Sequence, residues 1–392
     1  MKPISRQAAA MPPFAIREIM ELAWKTPNCI HLEVGQPNFS TPNYIGEAGI
    51  QAIAEGFTMY TPARGIPDLQ EAICDKLLHR NNICATSQNL TVCPGAVTAL
   101  DSAVMALIEA GDEVLLPDPG WHNPKSMVDF LGATSIPYCL HPENNFLPDL
   151  KEIESLITAR TKAIVINTPA NPTGAVFSEK ILKDIYALSR KYDLYIISDE
   201  IYEEFVFDGS HFSIKSIDED DRVIAIYGLS KSHAMTGWRL GYVIAPVFIS
   251  EVITKLQESL VSCASSITQK AAVAALCSPY DAVDKMRNAY RQRRDMALNI
   301  LRNYDLYEYT PSGAFYLMVN VSRLGNNSGE IVKQLLTETN VATAPGTAFG
   351  ESMNQYVRVS LAANEADIRT GMERICQAIT RTSSSKQKAA YQ

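Results

Sequence analysis

Along the first two-thirds of the chain, short apolar runs alternate with stretches in which apolar side chains recur every three or four positions. Runs of this kind, bounded by turn residues, predict buried strands, here near residues 32, 92, 115, 165, 196, 225 and 242. The stretches between them predict amphipathic helices. Residues 14–25 place Ile16, Ile19, Met20 and Ala23 on one face, with Pro13 suited to the first helical position. A second helix is predicted over residues 43–55, and a third enters through Pro94-Gly95-Ala96-Val97, turns Leu100, Ala103, Val104, Leu107 and Ile108 inward, and stops at Gly111. Ser178 caps a fourth, with Ile181, Leu182, Ile185 and Leu188 facing inward and Arg190 and Lys191 at its C-terminal end. Strand and helix alternating in units of about 30 residues is the βαβ pattern of an α/β fold with a parallel sheet. Ligands of such sheets lie beyond the C-terminal strand ends. In this chain, polar residues of chemical interest come after nearly every predicted strand.

Past residue 278 the pattern changes. Residues 281–304 predict a long charged helix rich in arginine, read as a solvated face, and residues 313–319 and 356–361 predict strands of a second lobe. A length of 392 residues also exceeds what one ordinary core accommodates. The net charge of −8, without a long basic run, argues against a nucleic-acid partner. No apolar stretch approaches the roughly 18 residues of a membrane helix, and Pro12, Pro13, Arg17 and Glu18 interrupt any signal-peptide core, so a cytoplasmic protein is expected. The 8 cysteines are scattered without a CxxC pair and the 6 histidines without HExxH, so reduced core thiols and no metal are expected. No GxGxxG comes after an early strand, which excludes a nicotinamide dehydrogenase of the usual kind. There is no internal repeat, and the Ser- and Lys-rich tail from about Arg381 is expected to fray.

Lys231 is the residue with the clearest chemical promise. It comes after the apolar run 223–227, among small residues and with no acidic neighbour in sequence, where burial lowers an amine's pKa and makes it a nucleophile. Arg239, eight positions on, offers an anion-binding fork, and Gly95-Ala96-Val97 at a helix start offers backbone N–H groups for a phosphate. Amine plus anion site points to a carbonyl cofactor carrying phosphate. Other residues are open to two readings. Gly35 either lets backbone approach a ligand or simply turns the chain. Trp121 either stacks on a flat ring or fills a core, and Tyr60, on a Pro- and Gly-marked loop, is on local grounds a packed aromatic. Asn171, between prolines, presents a rigid amide. Asp199 directly succeeds a buried strand and needs a partner, for which a protonated pyridine nitrogen is suited.

The stretch from Gly228 to Tyr242, Gly-Leu-Ser-Lys-Ser-His-Ala-Met-Thr-Gly-Trp-Arg-Leu-Gly-Tyr, resembles the pyridoxal-phosphate lysine signature of the class I and II aminotransferases. The resemblance extends over residues 14–378 and implies the aspartate-aminotransferase fold, a three-layer α/β sandwich with a mostly parallel sheet and a smaller α+β domain from both termini. It implies domains at 46–279 and at 1–45 with 280–392. It also implies pyridoxal 5′-phosphate as cofactor, a homodimer with shared sites, and transfer of an amino group from an L-amino acid to a 2-oxo acid. Lys231 then carries the cofactor and moves a proton, Asp199 keeps the ring nitrogen protonated, Asn171 and Tyr202 meet the phenolic oxygen, and Trp121 stacks on the ring. Gly95, Ala96, Val97, Ser230, Arg239 and Tyr60 of the partner subunit hold the phosphate. Arg358 grips the substrate α-carboxylate, with Gly35, Trp121 and Asn171 also beside the substrate.

Two positions depart from the family's pattern. Gly228 stands where many members have a phosphate-binding serine, and Val97 brings only its backbone N–H. Aspartate-using relatives have a lysine at the place of Val97, so an apolar or aromatic substrate is expected over aspartate. Arg64 is open between meeting a dicarboxylate and being an interface or surface arginine. The rival within the fold is a lyase or decarboxylase using the same cofactor. A transcription regulator built on this domain would need a DNA-binding module ahead of about residue 14.

Overall fold

The computed structural model describes residues 2–390, with side chains described through residue 381. Its strands are β1 (Ile30–His31), β2 (Leu90–Cys93), β3 (Glu113–Asp118), β4 (Thr134–Cys139), β5 (Thr161–Asn167), β6 (Tyr195–Asp199), β7 (Val223–Gly228), β8 (Gly241–Ile244), β9 (Tyr316–Asn320), β10 (Val341–Ala342), β11 (Ala344–Pro345) and β12 (Tyr356–Ser360). Seven of them form one sheet in the order β2-β8-β7-β6-β5-β3-β4. From β4 through β7 every pairing is parallel, while β8 runs antiparallel to both β7 and β2.

Alternation along these strands builds three layers. Ala225 and Tyr227 of β7 and Tyr242 and Ile244 of β8 meet Leu69, Ile73 and Leu77 of helix Pro67–Asn81 and Ala271, Ala272 and Ala275 of helix Ser266–Cys277. The intervening Ile224, Ile226 and Val243 meet Leu100, Ala103 and Val104 of helix Ala96–Leu107 and Ile249 and Ile253 of helix Val247–Val261. The result is an α/β sandwich whose central strands are buried on both faces, as parallel sheets with helical crossovers require. Segments from the two ends of the chain meet elsewhere. β1 pairs in parallel with β10, and β9, β12 and β11 form a separate antiparallel sheet in which Arg358 lies opposite Met318.

Several expectations change. The first predicted helix is Ala15–Lys25, so Pro13 precedes its cap at Phe14 instead of opening it. The strand expected near residue 32 shortens to β1, because the chain bends at Glu33; beyond it the Glu33 and Gly35 carbonyls accept from side chains. β4 is absent from the sequence reading; it is an edge strand, largely accessible and carrying Pro137, and so lacks the apolar run that marks its neighbours. Helix Asp281–Asn303 is not simply a solvated face, because Arg293 and Arg294 are buried. Arg293 donates to Asn38 Oδ1 at 2.9 Å and lies over the rings of Phe39 and Tyr290, while Arg294 binds Asp208, Asp295 and the Pro311 carbonyl. A guanidinium over aromatic faces, with acceptors at its edge, tolerates burial that periodicity alone does not reveal. The last helix is Glu365–Ala390, and the side chains of the tail expected to fray lie outside the described residues. Among the described residues, no helix is long and apolar enough to cross a membrane.

Candidate active site

The parallel strands end on one edge of the sheet, and the segments leaving those ends converge there. Asn171 comes after β5, Asp199 ends β6 with Tyr202 just beyond, and Ser230 and Lys231 come after β7. Because β8 is antiparallel, Arg239 reaches the same edge from the start of its strand, and Gly95 and Ala96 reach it from the end of β2. Trp121 lies beyond β3, and Arg358 comes from β12 in the other sheet. All of these but Gly95, which directly precedes Ala96, border a cavity of about 310 Å³, to which Gly35, Val97 and Tyr316 also contribute.

Lys231 Nζ donates to the Gly35 carbonyl at 2.7 Å. Burial, then the charges of Arg358 and Arg239, push its pKa down to about 8 against the opposing pull of Asp199. At neutral pH roughly a tenth of such an amine is unprotonated, some two orders of magnitude more than for an ordinary lysine. Asp199 is displaced the other way, up to about 6, chiefly by burial; the Ile201 N–H on its Oδ1, at 3.2 Å, and Lys231 only partly offset this. Its backbone is fixed, since Asn167 Nδ2 and the Thr168 N–H both donate to the Asp199 carbonyl, at 3.0 and 3.3 Å. Tyr202 is buried, and its hydroxyl lies 2.8 Å from that of Tyr316. Burial and then Tyr316 hold the Tyr202 hydroxyl well above its usual pKa, so it stays protonated.

Arg358 is 2% exposed and has no carboxylate partner among the described residues. One terminal nitrogen donates to Asn171 Oδ1 at 3.0 Å and the other to the Glu33 carbonyl. Its guanidinium is sandwiched by the rings of Tyr316 and Phe349, 4.3 and 4.7 Å from their centroids. A buried cation held flat, with N–H groups to spare and no anion of its own, is a receptor for a carboxylate. Gly35 is fixed by sterics here: a Cβ on it would stand 1.9 Å from Tyr316 Oη.

At the opposite side of the cavity, Gly95 has φ +98°, and a Cβ there would lie 2.5 Å from Arg239 Nη2. Absence of that Cβ lets the guanidinium rest on the turn that begins helix Ala96–Leu107, whose free N–H groups and dipole favour an anion. Arg239 itself sits at φ +57°, and its Nη1 donates to the Thr236 carbonyl at 3.1 Å. At Gly228 a Cβ would come within 2.8 Å of Ile201 Cδ1, so the serine common at this place has little room.

The profile of the family described as aminotransferase class I and II matches residues 27–375. The chain belongs to this family. It is 34% identical over 391 residues to the aspartate/prephenate aminotransferase of Thermus thermophilus, covering 97% of this chain and 100% of that one. Among solved structures, aspartate aminotransferase from Thermus thermophilus with maleate matches with a TM-score of 0.92 at 34% identity, over 96% of this chain and 100% of that chain. An aromatic aminotransferase from Pyrococcus horikoshii matches with a TM-score of 0.88 at 35% identity, over 93% and 99% of the two chains.

In this aminotransferase, two residues singled out from sequence lie away from the cavity. Tyr60 is 87% exposed, on a loop of the chain's surface. Arg64 is turned into its own subunit, one terminal nitrogen donating to the carbonyls of Gln88 and Leu90 and to Ser250 Oγ at 2.9, 3.1 and 2.8 Å. It ties the start of β2 to helix Val247–Val261, is half-buried, and is not among the residues that line this chain's cavity. Sequence reading missed other lining residues, among them Phe14, Ile16 and Met20 from the first helix region, Glu33, Thr236 and Tyr316. The alternation of β9 could have pointed to Tyr316, since it shares a face with Met318, the partner of Arg358.

Proposed function

We propose that this aminotransferase uses pyridoxal phosphate and exchanges the amino group of an apolar or aromatic L-amino acid with a 2-oxo acid, favouring such substrates over aspartate. The observation that carries the reading is the grouping of Lys231, Asp199 and Arg358 around one cavity of about 310 Å³. The donor set fits the cofactor. Asp199 is a buried carboxylate matched to a protonated ring nitrogen, and the Gly95 turn with Arg239 is a cradle that a Cβ would fill. Lys231, Asp199, Asn171, Tyr202 and Trp121 would hold the ring, and Gly95, Ala96, Val97, Ser230 and Arg239 the phosphate. The chemistry that pyridoxal phosphate supplies when bound is a carbonyl reactive toward amines and a ring that accepts the electrons of a broken Cα–H bond.

This chain's residues do the rest. Arg358, held by Asn171 and Glu33, binds the substrate α-carboxylate and so fixes which bond at Cα points toward Lys231. The Lys231 amine, with its depressed pKa, takes the Cα proton and delivers it again. Asp199, pinned through its backbone, keeps a charge-assisted hydrogen bond at the ring end.

Two observations support the substrate preference. Phe14, Ile16, Met20, Val97 and Leu100 make an apolar wall, and Arg358, Arg239 and Lys231 are the cavity's cations among the described residues. A distal carboxylate left without a cation would be costly. The relatives' names span aspartate/prephenate and aromatic amino acids, so both classes are fair competitors. We also read the enzyme as a homodimer in which Tyr60 of the partner subunit reaches the phosphate, because Ile50, Ile53, Met59 and Tyr60 form an exposed apolar face, 55% to 87% accessible. Two domains, 46–279 and 1–45 with 280–392, agree with the pairing of β1 to β10. Eight unpaired cysteines suit the cytoplasm.

The test is to load the protein with pyridoxal phosphate, expose it to a panel of amino acids, and identify products. A 2-oxo acid with an aminated acceptor, and a higher kcat/KM for phenylalanine or leucine than for aspartate, is expected. Failure to bind the cofactor, release of ammonia or CO₂ as the main product, or a preference for aspartate would overturn the corresponding part.

A further inference from the structure

On the far side of the backbone from the cavity floor lies a second buried carboxylate, to which the mechanism gives no task. Glu200 is 1% exposed, and its N–H donates to the Ile226 carbonyl of β7 at 2.9 Å. Its side chain shares a face with that of Ser198, opposite to Asp199. There four donors converge on it: Ser198 Oγ and Ser213 Oγ, each 2.9 Å from Oε1, and His211 Nε2 and Tyr227 Oη, 2.8 and 3.1 Å from Oε2. Two oxygens with two partners each fill the acceptor capacity of an ionised carboxylate.

Apart from His211, the cations around it are taken up by other carboxylates. Lys76, over the Tyr227 ring at 4.7 Å, is paired with Glu203, and Arg80 is paired with Glu204. Tyr242 stacks on Tyr227 with centroids 5.4 Å apart, and burial keeps both hydroxyls protonated. His211 is the titratable base that bonds to Glu200 directly. Burial opposes its protonation, but the hydrogen bond and charge of Glu200 outweigh this and raise its pKa. Asp199, one residue away, feels Glu200 as a like charge, and Lys231 faces Asp199 from across the cavity.

We propose that Glu200 is a positioning residue that holds a fixed negative charge behind Asp199, with His211 as its countercharge, and thereby strengthens proton binding at the Asp199 end of the cavity. The Asp199 main chain, clamped by β5 through Asn167 and Thr168 and by β7 through the next N–H, cannot move away from that charge. A carboxylate that served only to fill space would be replaceable by an amide of the same shape.

The inference rests on pyridoxal phosphate occupying the cavity, and the test separates the two. Wild type, Glu200→Gln and His211→Gln are loaded with pyridoxal phosphate, and the absorbance of the bound cofactor is titrated against pH, with cofactor affinity and unfolding midpoint measured alongside. Loss of the Glu200 charge should lower the spectroscopic midpoint by about one pH unit. Loss of the His211 countercharge should raise it above the wild-type value. A Glu200→Gln midpoint equal to wild type, or a fall in both variants, overturns the proposal whatever happens to stability. If Glu200→Gln does not fold, His211→Gln decides by sign: above wild type supports the proposal, at or below overturns it. A wild-type protein that takes up no pyridoxal phosphate overturns the functional reading and this inference with it. A wild type that binds and titrates beside variants that match it overturns the inference alone.

Discussion

Replacing Gly35 by alanine adds one methyl group at the point where two of the site's cations, Arg358 and Lys231, are tied together. The new Cβ would stand 1.9 Å from Tyr316 Oη and 2.8 Å from Cζ, separations that carbon atoms do not tolerate, so the phenol ring has to move. Gly35 does not have a left-handed φ, so the cost is steric and not conformational. Moving the ring breaks the 2.8 Å contact with Tyr202 and shifts the face on which Arg358 rests at 4.3 Å. Overpacking of this kind costs about 1–3 kcal/mol, and the lost hydrogen bond about 1 kcal/mol.

Part of that cost falls on substrate binding, because Arg358 would no longer be held flat. A loss of roughly 1.4 to 2.8 kcal/mol in carboxylate binding corresponds to KM rising about 10- to 100-fold, with kcat changed less. The assay is steady-state kinetics with the best amino acid from the panel, beside thermal unfolding. Tyr316→Phe in the same background removes the atom in the worst clash and should restore part of the loss, giving a positive coupling in the double-mutant cycle. A Gly35→Ala enzyme with wild-type KM and unfolding midpoint, or a double variant no better than the sum of its parts, would refute the account of why this position lacks a side chain.

Lys231 should leave a signature in stability as well as in activity. Its folded pKa of about 8 lies below the ordinary 10.5, so between these values the unfolded chain binds more protons, and stability contributed by this group rises with pH across that window. Denaturant unfolding of the cofactor-free enzyme should therefore show wild type gaining on Lys231→Met from pH 8 toward 10.5, and parallel curves would contradict the shift. Arg64→Ala should destabilise by about 1–3 kcal/mol through its lost acceptors while leaving the ratio of kcat/KM for apolar and dicarboxylic substrates unchanged; a selective loss of the dicarboxylate would return Arg64 to the substrate site. Mixing inactive Tyr60→Phe and Lys231→Ala subunits should regain activity through hybrid dimers with one intact site. If the subunits exchange and no activity returns, Tyr60 does not serve the partner's site.

The sequence was most informative where chemistry is local. Lys231 and Arg239 belong to one turn between β7 and β8, so their spacing alone implies a shared sheet edge. Asn171, Asp199 and Trp121 were legible because each comes after an apolar run, and a parallel sheet gathers such ends. The features that escaped depend on non-local pairing. Tyr316 and Arg358 are neighbours only through the register that sets Met318 against Arg358, 40 residues apart in sequence. Arg64 is defined by acceptors 24, 26 and 186 positions away, which no local pattern encodes. Arg293 and Arg294 mislead in the other direction, because a charged helix pattern counts arginine as solvated even where aromatic faces and carbonyls receive it. β4 was lost because an accessible edge strand with a proline carries neither an apolar run nor a clean alternation.

The segment after β1 explains how residues from separate sheets act as one site. Arg358 belongs to the β11-β12-β9 sheet, and Lys231 to the edge of the seven-stranded one, with no ladder between the two. They are joined through the carbonyls of Glu33 and Gly35, two residues apart: the first accepts from Arg358 and the second from Lys231. Both carbonyls belong to one short irregular stretch that bends at Glu33, so both cations are tied to it. β1 ends at His31, and Leu32 makes the last ladder contacts, its N–H to Ala342 and its carbonyl from Ser360. The Glu33 and Gly35 carbonyls lie beyond that ladder and accept from side chains instead. Its early end leaves them to hold Arg358 and Lys231 at a fixed separation, so a change at Gly35 should be felt by both groups at once.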